Sequence, residues 1–541
     1  MLDGSHFGIT NDNNLKNSKI DEIVILKVGI IEQRDSFDFK ITGKISVLND
    51  QGITILKGVT VAEKWRLKVK NRQNAKYEYS LLLQKYFDLK KAEEQEYKLI
   101  ERGIGARIKK LGAQFYFKKK LVCDNSEYWL VVDKLSSEQE ANNFAEKMFA
   151  DFNYKIFREK RDEPHALFEL FDSESEKLGE AENSIRMVPE SPGAITYIYD
   201  STSNDISNNK VSKTAAFFGA VEFRCLDENK VAIICEKTIE KYVENVVALQ
   251  MSAELPDEII KAQAIAVRSK AISGLGINHY DDPFDVCSEE HCQVFSSILQ
   301  IPAKISKAVE DTTGLVLMNK NQVKGINYSA ICGGHADSNN FVNSNFFDET
   351  FPPVFDGANQ DIFREFGDLS QAENLKSWIK NKPDAFCNLS YLKNQNIPGL
   401  LKDYFRWHIT YDLEELGKII SKNVGTDIGS LYEIIPISRG VSGRLKEIEI
   451  LASNKNLVIK DQSEICRVLA HDRLLSSCFI IESQMDEQGF PVSFTFQGAG
   501  SGHGAGLCQA GGTGMALYGA DYSEILKHYF RGFKLKKIYE V

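Results

Sequence analysis

Four stretches of this chain carry residue types that do chemistry. In "GAGSGHGAGLCQAGGTGMA", Gly498 to Ala516, the residues Ser501, His503, Cys508 and Gln509 stand among glycines and alanines. Lacking Cβ, glycine permits positive φ and close approach of a ligand or a second backbone, so the run predicts a tight loop lining a cleft, or else a buried turn before the final helix. A nucleophile elbow is excluded, because it needs glycine two before and two after Ser501, where Ala499 and His503 stand. A phosphate loop is excluded too, since no Lys-Ser or Lys-Thr follows. The stretch "HYDDPFDVCSEEHCQVFSS" supplies His279, Cys287 and Cys292, an imidazole and two thiols soft enough for zinc with one position open, and His291 as a further candidate. The spacing is not a zinc-finger pattern, and a local disulfide or free packed thiols are alternatives. "NYSAICGGHADSNNF" places Cys332 and His335 around two glycines; nucleophilic use of the cysteine requires a histidine near it in space, and a strand-end turn is the simpler reading.

The fourth stretch, "YVENVVALQMSAELPDEIIKAQAIAVRSKAISG", must be largely helical. Pro256 suits a first helical turn, Asp257 and Glu258 suit the positive end of the dipole, and Ala262, Ala264 and Ala266 allow close packing, which predicts a helix from about Pro256 to Ser273. Gln263 and Arg268 fall in its apolar run and are expected to hydrogen-bond internally, because an unpartnered buried polar group costs ~1–3 kcal/mol.

The elements around these stretches read as an α+β chain, mixed and strand-rich. With 541 residues, two or three domains are expected. Residues 1–110 form a β-rich segment, in which Ile23 to Val69 alternates apolar and polar residues. Residues 111–165 hold a small strand–helix–strand unit, with Ser136 or Ser137 as N-cap and Ala141, Ala145, Met148 and Phe149 on one helix face. Residues 166–213 read as a linker or long loop, and 214–541 as the core that holds the chemistry. The net charge of -10 argues against nucleic acid as a partner. No transmembrane segment and no secretory leader are visible, so the protein is cytosolic or the sequence begins after a removed leader. Of ten cysteines most sit singly in apolar runs, as buried reduced thiols would.

Taken in order, "YVENVV…LPDEIIKAQAIAVRSKA", "FDVCSEEHCQVF", "YSAICGGH" and "GSGHGAGLCQAGGTGMALYGADYSEILKHYF" resemble the SpoIID/LytB family, over about Phe217 to Val541. "LKVGII" echoes the start of such proteins, which makes 1–110 a SpoIID-type segment and 214–541 a SpoIID-like core. Glu127 to Phe157 further resembles a SPOR-type unit, whose family binds peptide-free glycan. The resemblance implies an envelope protein, periplasmic or secreted, that acts on peptidoglycan glycan strands as a lytic transglycosylase, or that binds them and enhances an N-acetylmuramoyl-L-alanine amidase. It implies a cleft lined by Gln250, Gln263, Arg268, Gln293, Cys332, His335, Ser501, His503 and Gln509, beside the loop of His279, Cys287 and Cys292 whose residue types suit zinc. One departure stands out: the family's catalytic glutamate falls on Gln250, and an amide cannot supply or accept the proton that acid–base catalysis turns on. Glu254, four residues on, is the candidate substitute.

Overall fold

The computed structural model describes residues 16–19, 24–117, 119–149, 154–191, 193–204, 210–297, 300–338, 352–392 and 397–540. They form two compact units whose chain segments interleave: Met1–Met251, Val267–Gly325 and Lys536–Val541 in the first, Ser252–Ala266 and Ile326–Leu535 in the second. The expected single core of residues 214–541 is thus divided between both.

In the first unit the alternating N-terminal pattern becomes strands. Ser36–Ile41 buries Phe37, Phe39 and Ile41 and leaves the residues between them half-buried or exposed, the period-two signature of a sheet with one covered face. Ile25–Glu32 lies inside a seven-stranded sheet, antiparallel to Val231–Thr238 on one side and parallel to the short strand Val286–Cys287 on the other. The N-terminal segment and the start of the expected core therefore share one sheet, and no domain boundary separates them.

The strand–helix–strand reading holds locally: Glu127–Leu135, Glu138–Met148 with Ser137 accepting from the Glu140 N–H, and Lys155–Asp162. Those two strands are not neighbours, however. Lys76–Tyr86 runs between them and Ala106–Leu111 flanks Glu127–Leu135, which makes an antiparallel four-stranded sheet. With the helix Leu89–Glu101 in the first connection, the elements of this sheet make a βαββαβ unit around Leu81, Val132, Ala141, Ala145 and Phe149, and the strands Ala113–Phe117 and Lys120–Asp124, inserted between its second and third strands, pair in another sheet. The boundary expected at 110 cuts through the unit, because its first half is too charged to betray its partner strands.

The linker expected at 166–213 is a correction as well. It contains His165–Phe171, Lys177–Glu182, Ser184–Pro189, Ile195–Asn204 and the start of Lys210–Phe218, all paired into the two large sheets. Among the described residues its polar positions fall on sheet faces open to water and in tight turns; residues 192 and 205–209 of the expected linker lie outside the described residues.

The second unit is built on two three-stranded sheets. Arg406–Asp412, Pro491–Ala499 and Phe479–Met485 form one; Leu431–Arg439, Leu445–Ala452 and Leu457–Lys460 form the other. The helix Leu413–Val424, capped by Asp412, packs Leu416, Ile419 and Ile420 into the core these sheets share. The expected helix near Pro256 is observed as Asp257–Gly274, and its residues fall in both units.

Candidate functional site

In the first unit the loop after Asp257–Gly274 is tied to the large sheet by backbone. Asp285 N–H donates to the Lys27 carbonyl at 2.8 Å, Lys27 N–H to Asp285 Oδ2 at 2.9 Å, and Ser288 N–H to the Gly29 carbonyl at 3.0 Å. Gly29 is obligatory there, since a Cβ would lie 2.5 Å from the Phe284 ring. So anchored, the loop gathers His279, Cys287, His291 and Cys292, whose donor atoms all lie within 4.8 Å of one another. His291 Nδ1 is 3.8 Å from Cys287 Sγ, 3.7 Å from Cys292 Sγ and 3.2 Å from His279 Nε2. Tetrahedral zinc at ordinary bond lengths sets sulfur and nitrogen ligands roughly 3.5 Å apart, so the donor set fits that cation. The other ring nitrogen of His279 meets Asp282 Oδ2 at 2.8 Å, the carboxylate–histidine arrangement that orients a metal-binding imidazole. Burial lowers the basicity of His279, but Asp282 and Cys287 outweigh it and push the ring up to about 9. The Cys292 thiol, with both imidazoles, holds Cys287 well below its usual range against the opposing effect of burial.

Sequence reasoning placed three of these residues, left the fourth position open and treated His291 as secondary. With His291 the set has four donors. Asp282, three residues beyond His279, was missed, and that spacing was the available signal.

The remaining residues of the expected cleft divide by unit. Gln250, Arg268 and Gln293 belong to the first; Glu254, Gln263, Cys332, His335, Ser501, His503 and Gln509 belong to the second. Gln250 ends the helix Ile239–Gln250, half-buried. Arg268 is completely buried and forked onto Glu240, Nε to Oε1 at 3.0 Å and Nη2 to Oε2 at 2.6 Å, with Nη1 donating to the Leu315 carbonyl at 3.1 Å. The guanidinium is held by internal hydrogen bonds, as expected for its apolar run, and is too buried to line a cleft. Gln293 is buried likewise and donates to Tyr242 Oη and the Val267 carbonyl, both at 3.3 Å. Gln263 is buried among the small residues of its helix, and Glu254 is exposed with its N–H bonded to Ser252 Oγ.

In the second unit two of the four stretches do converge. Ile331 and Ser501 exchange backbone hydrogen bonds at 2.8 and 3.1 Å, and Tyr328–Ser329 pairs in parallel with Leu507–Cys508. The glycine loop alternates: Gly500, Gly502, Gly504 and Gly506 all have positive φ, between 69° and 89°. What presses on it is the protein itself. A Cβ on Gly504 would overlap the Arg444 guanidinium, and one on Gly506 the Asn327 carbonyl. The expectation that the glycines make room for a ligand is therefore corrected at these positions, and half-buried His503 accepts at Nδ1 from the Ala505 N–H, 3.1 Å away, as a turn-former does. His335 is buried and held neutral, its ring pushed down to about 3 by burial and by Arg444. Gln509, also buried, opens the helix Gln509–Leu517. A concavity of about 1170 Å³ in this unit, bordered by Leu413, Lys418, Ser430 and Phe490, contains none of the motif residues.

All ten cysteines are buried free thiols, as expected. No helix among the described residues is long and apolar enough to cross a membrane.

Residues 227–319 match the family model described as Stage II sporulation protein, and residues 349–506 match a domain of unknown function. An uncharacterized protein of Brachyspira hyodysenteriae is 27% identical over 316 residues, which cover 58% of this chain and 71% of that one. His279, Cys287, His291 and Cys292 all lie inside the first matched segment.

Proposed function

We propose that this chain, whose residues 227–319 match the Stage II sporulation protein family model, is a cell-wall protein that binds peptide-free peptidoglycan glycan strands without cutting them. The observation that carries the reading is Gln250 at the family's acid position, set at a helix end with its side chain half-buried. Lytic transglycosylase chemistry needs one carboxyl group that first protonates the leaving oxygen and then takes a proton from the sugar, and an amide does neither. The family's envelope setting and its amidase-enhancing members supply the location and the partner: an extracytoplasmic site, and an N-acetylmuramoyl-L-alanine amidase that this chain stimulates. The SPOR-type resemblance of Glu127–Phe157 assigns the βαββαβ unit a second contact to the same strands. The His279/Cys287/His291/Cys292 cluster would hold zinc, and four protein donors would suit a structural ion that fixes the loop.

The test is sedimentation with peptide-free glycan, together with analysis of the supernatant for anhydro-sugar ends. The wild-type protein should sediment and release nothing, and Gln250→Glu should begin to release anhydro products. Release by the wild-type protein that Glu254→Gln abolishes would establish Glu254 as a substitute acid and end the non-cutting reading. Failure to sediment would end the binding reading.

A further inference from the structure

We propose that the second unit contains its own metal site, made by Cys332, Asp356, Cys387 and Cys508, that takes a thiophilic tetrahedral divalent cation of the zinc class. The four residues come from four separate segments, and their donor atoms lie within 4.8 Å of one another with every residue buried. Cys332 Sγ is 3.6 Å from Cys387 Sγ and 3.2 Å from Asp356 Oδ2. Around tetrahedral zinc, thiolate sulfurs stand roughly 3.8 Å apart, so little movement is needed to admit the ion. Cys332 and Cys508 lie outside both matched segments, and Asp356 and Cys387 outside the SpoIID one. The site is separate in sequence and in unit from the histidine-rich cluster.

The backbone around one of the four donors is built to receive a sulfur. Cys508 Sγ accepts two backbone N–H bonds, from Cys332 at 3.2 Å and Gly511 at 3.3 Å, and it stands at the N-cap of Gln509–Leu517, where a helix stabilises a thiolate. Asp356 is oriented by Tyr529 Oη on Oδ1 at 2.5 Å and by the Cys387 N–H on Oδ2 at 3.2 Å. Gly511 is required for that approach, since a Cβ would sit 2.5 Å from both carboxylate oxygens. His528 Nε2, 3.8 Å from Asp356 Oδ1, is buried with no hydrogen-bond partner.

Charge balance points the same way. Three thiolates and a carboxylate around a dication leave two negative charges, which are costly to bury without compensation. Arg406 supplies a cation: its guanidinium hydrogen-bonds the backbone carbonyls of Ile379, Gly333, Phe405 and Trp378 at 2.8 to 3.1 Å. Arg444 adds a second, donating to the Cys332 carbonyl at 2.8 Å. Binding would expel the remaining thiol protons to solvent and close all four positions, so the ion acts as a cross-link and not as a catalyst.

The test is the metal content of the full chain, purified reduced and given zinc or cobalt, for the wild type, Cys387→Ser and Cys287→Ser/Cys292→Ser. Cys387→Ser should lose one equivalent relative to the wild type. The double variant should keep one, and its cobalt form should show intense sulfur-to-metal charge-transfer absorption. Equal metal in the wild type and Cys387→Ser, no metal in the double variant, or a Cys332–Cys387 disulfide found by mass spectrometry of the alkylated protein would each overturn the site. Should Cys387→Ser fail to fold, Asp356→Asn keeps the shape of the carboxylate. It should release zinc to a chromophoric chelator at least tenfold faster than the wild type, and an unchanged rate would reject the ligand set.

Discussion

The two sulfur-bearing clusters are wired in opposite ways. His279, Cys287, His291 and Cys292 fall within fourteen consecutive residues, on one loop held to a sheet edge by backbone hydrogen bonds. Cys332, Asp356, Cys387 and Cys508 span 177 positions, and each is delivered by a different segment. The first uses imidazoles with a carboxylate behind one of them; the second uses thiols and a carboxylate beside buried guanidinium groups. A cluster written locally needs only its loop. One assembled from afar needs the whole of its unit to fold before any donor meets another.

That contrast can be broken or sharpened by substitution. The largest effect is expected at Arg268, a completely buried cation of the first unit: Arg268→Met should cost about 3–5 kcal/mol in urea unfolding, because it leaves the largely covered Glu240 without its counter-charge. Glu240→Leu added to it should recover much of the loss. In the second unit, Gly506→Ala should cost about 2–4 kcal/mol, from overlap with Asn327 and a positive φ. It should also speed thiol labelling of Cys332, Cys387 and Cys508 and leave Cys287 and Cys292 unchanged; equal labelling of both sets would erase the distinction.

A third effect depends on pH. The unfolded chain protonates His335 near 6.5, whereas the folded one does so only near 3, where burial and Arg444 place it against the opposing pull of Asp368. Stability should therefore fall by about 1.4 kcal/mol per pH unit as pH drops below 6.5 and level off near 3, and His335→Gln should flatten that slope. The smallest effect is expected at exposed Glu254, where Glu254→Gln should move the unfolding midpoint by no more than about 0.5 kcal/mol.

The same contrast explains what could be read in the sequence. The strands of Ile23–Val69, the Ser137-capped helix and the helix after Pro256 were legible because period and caps are local signals. Three donors of the first cluster were legible because they are neighbours in the chain. Cys387 and Asp356 were not, since each stands alone among ordinary residues and gains meaning only through contacts formed across the fold. The glycine loop was legible as a tight, positive-φ turn, but not its cause. A missing Cβ looks the same in sequence whether a sugar or Asn327 occupies the space.

The pairing of Ile25–Glu32 with both Val231–Thr238 and Val286–Cys287 has a practical side. A fragment trimmed to the family-matched residues 227–319 would lose the central rung of that ladder and present a bare edge, a template for intermolecular strand addition. Recombinant work on the SpoIID portion should therefore retain everything from Val24 onward, or it will study an aggregate.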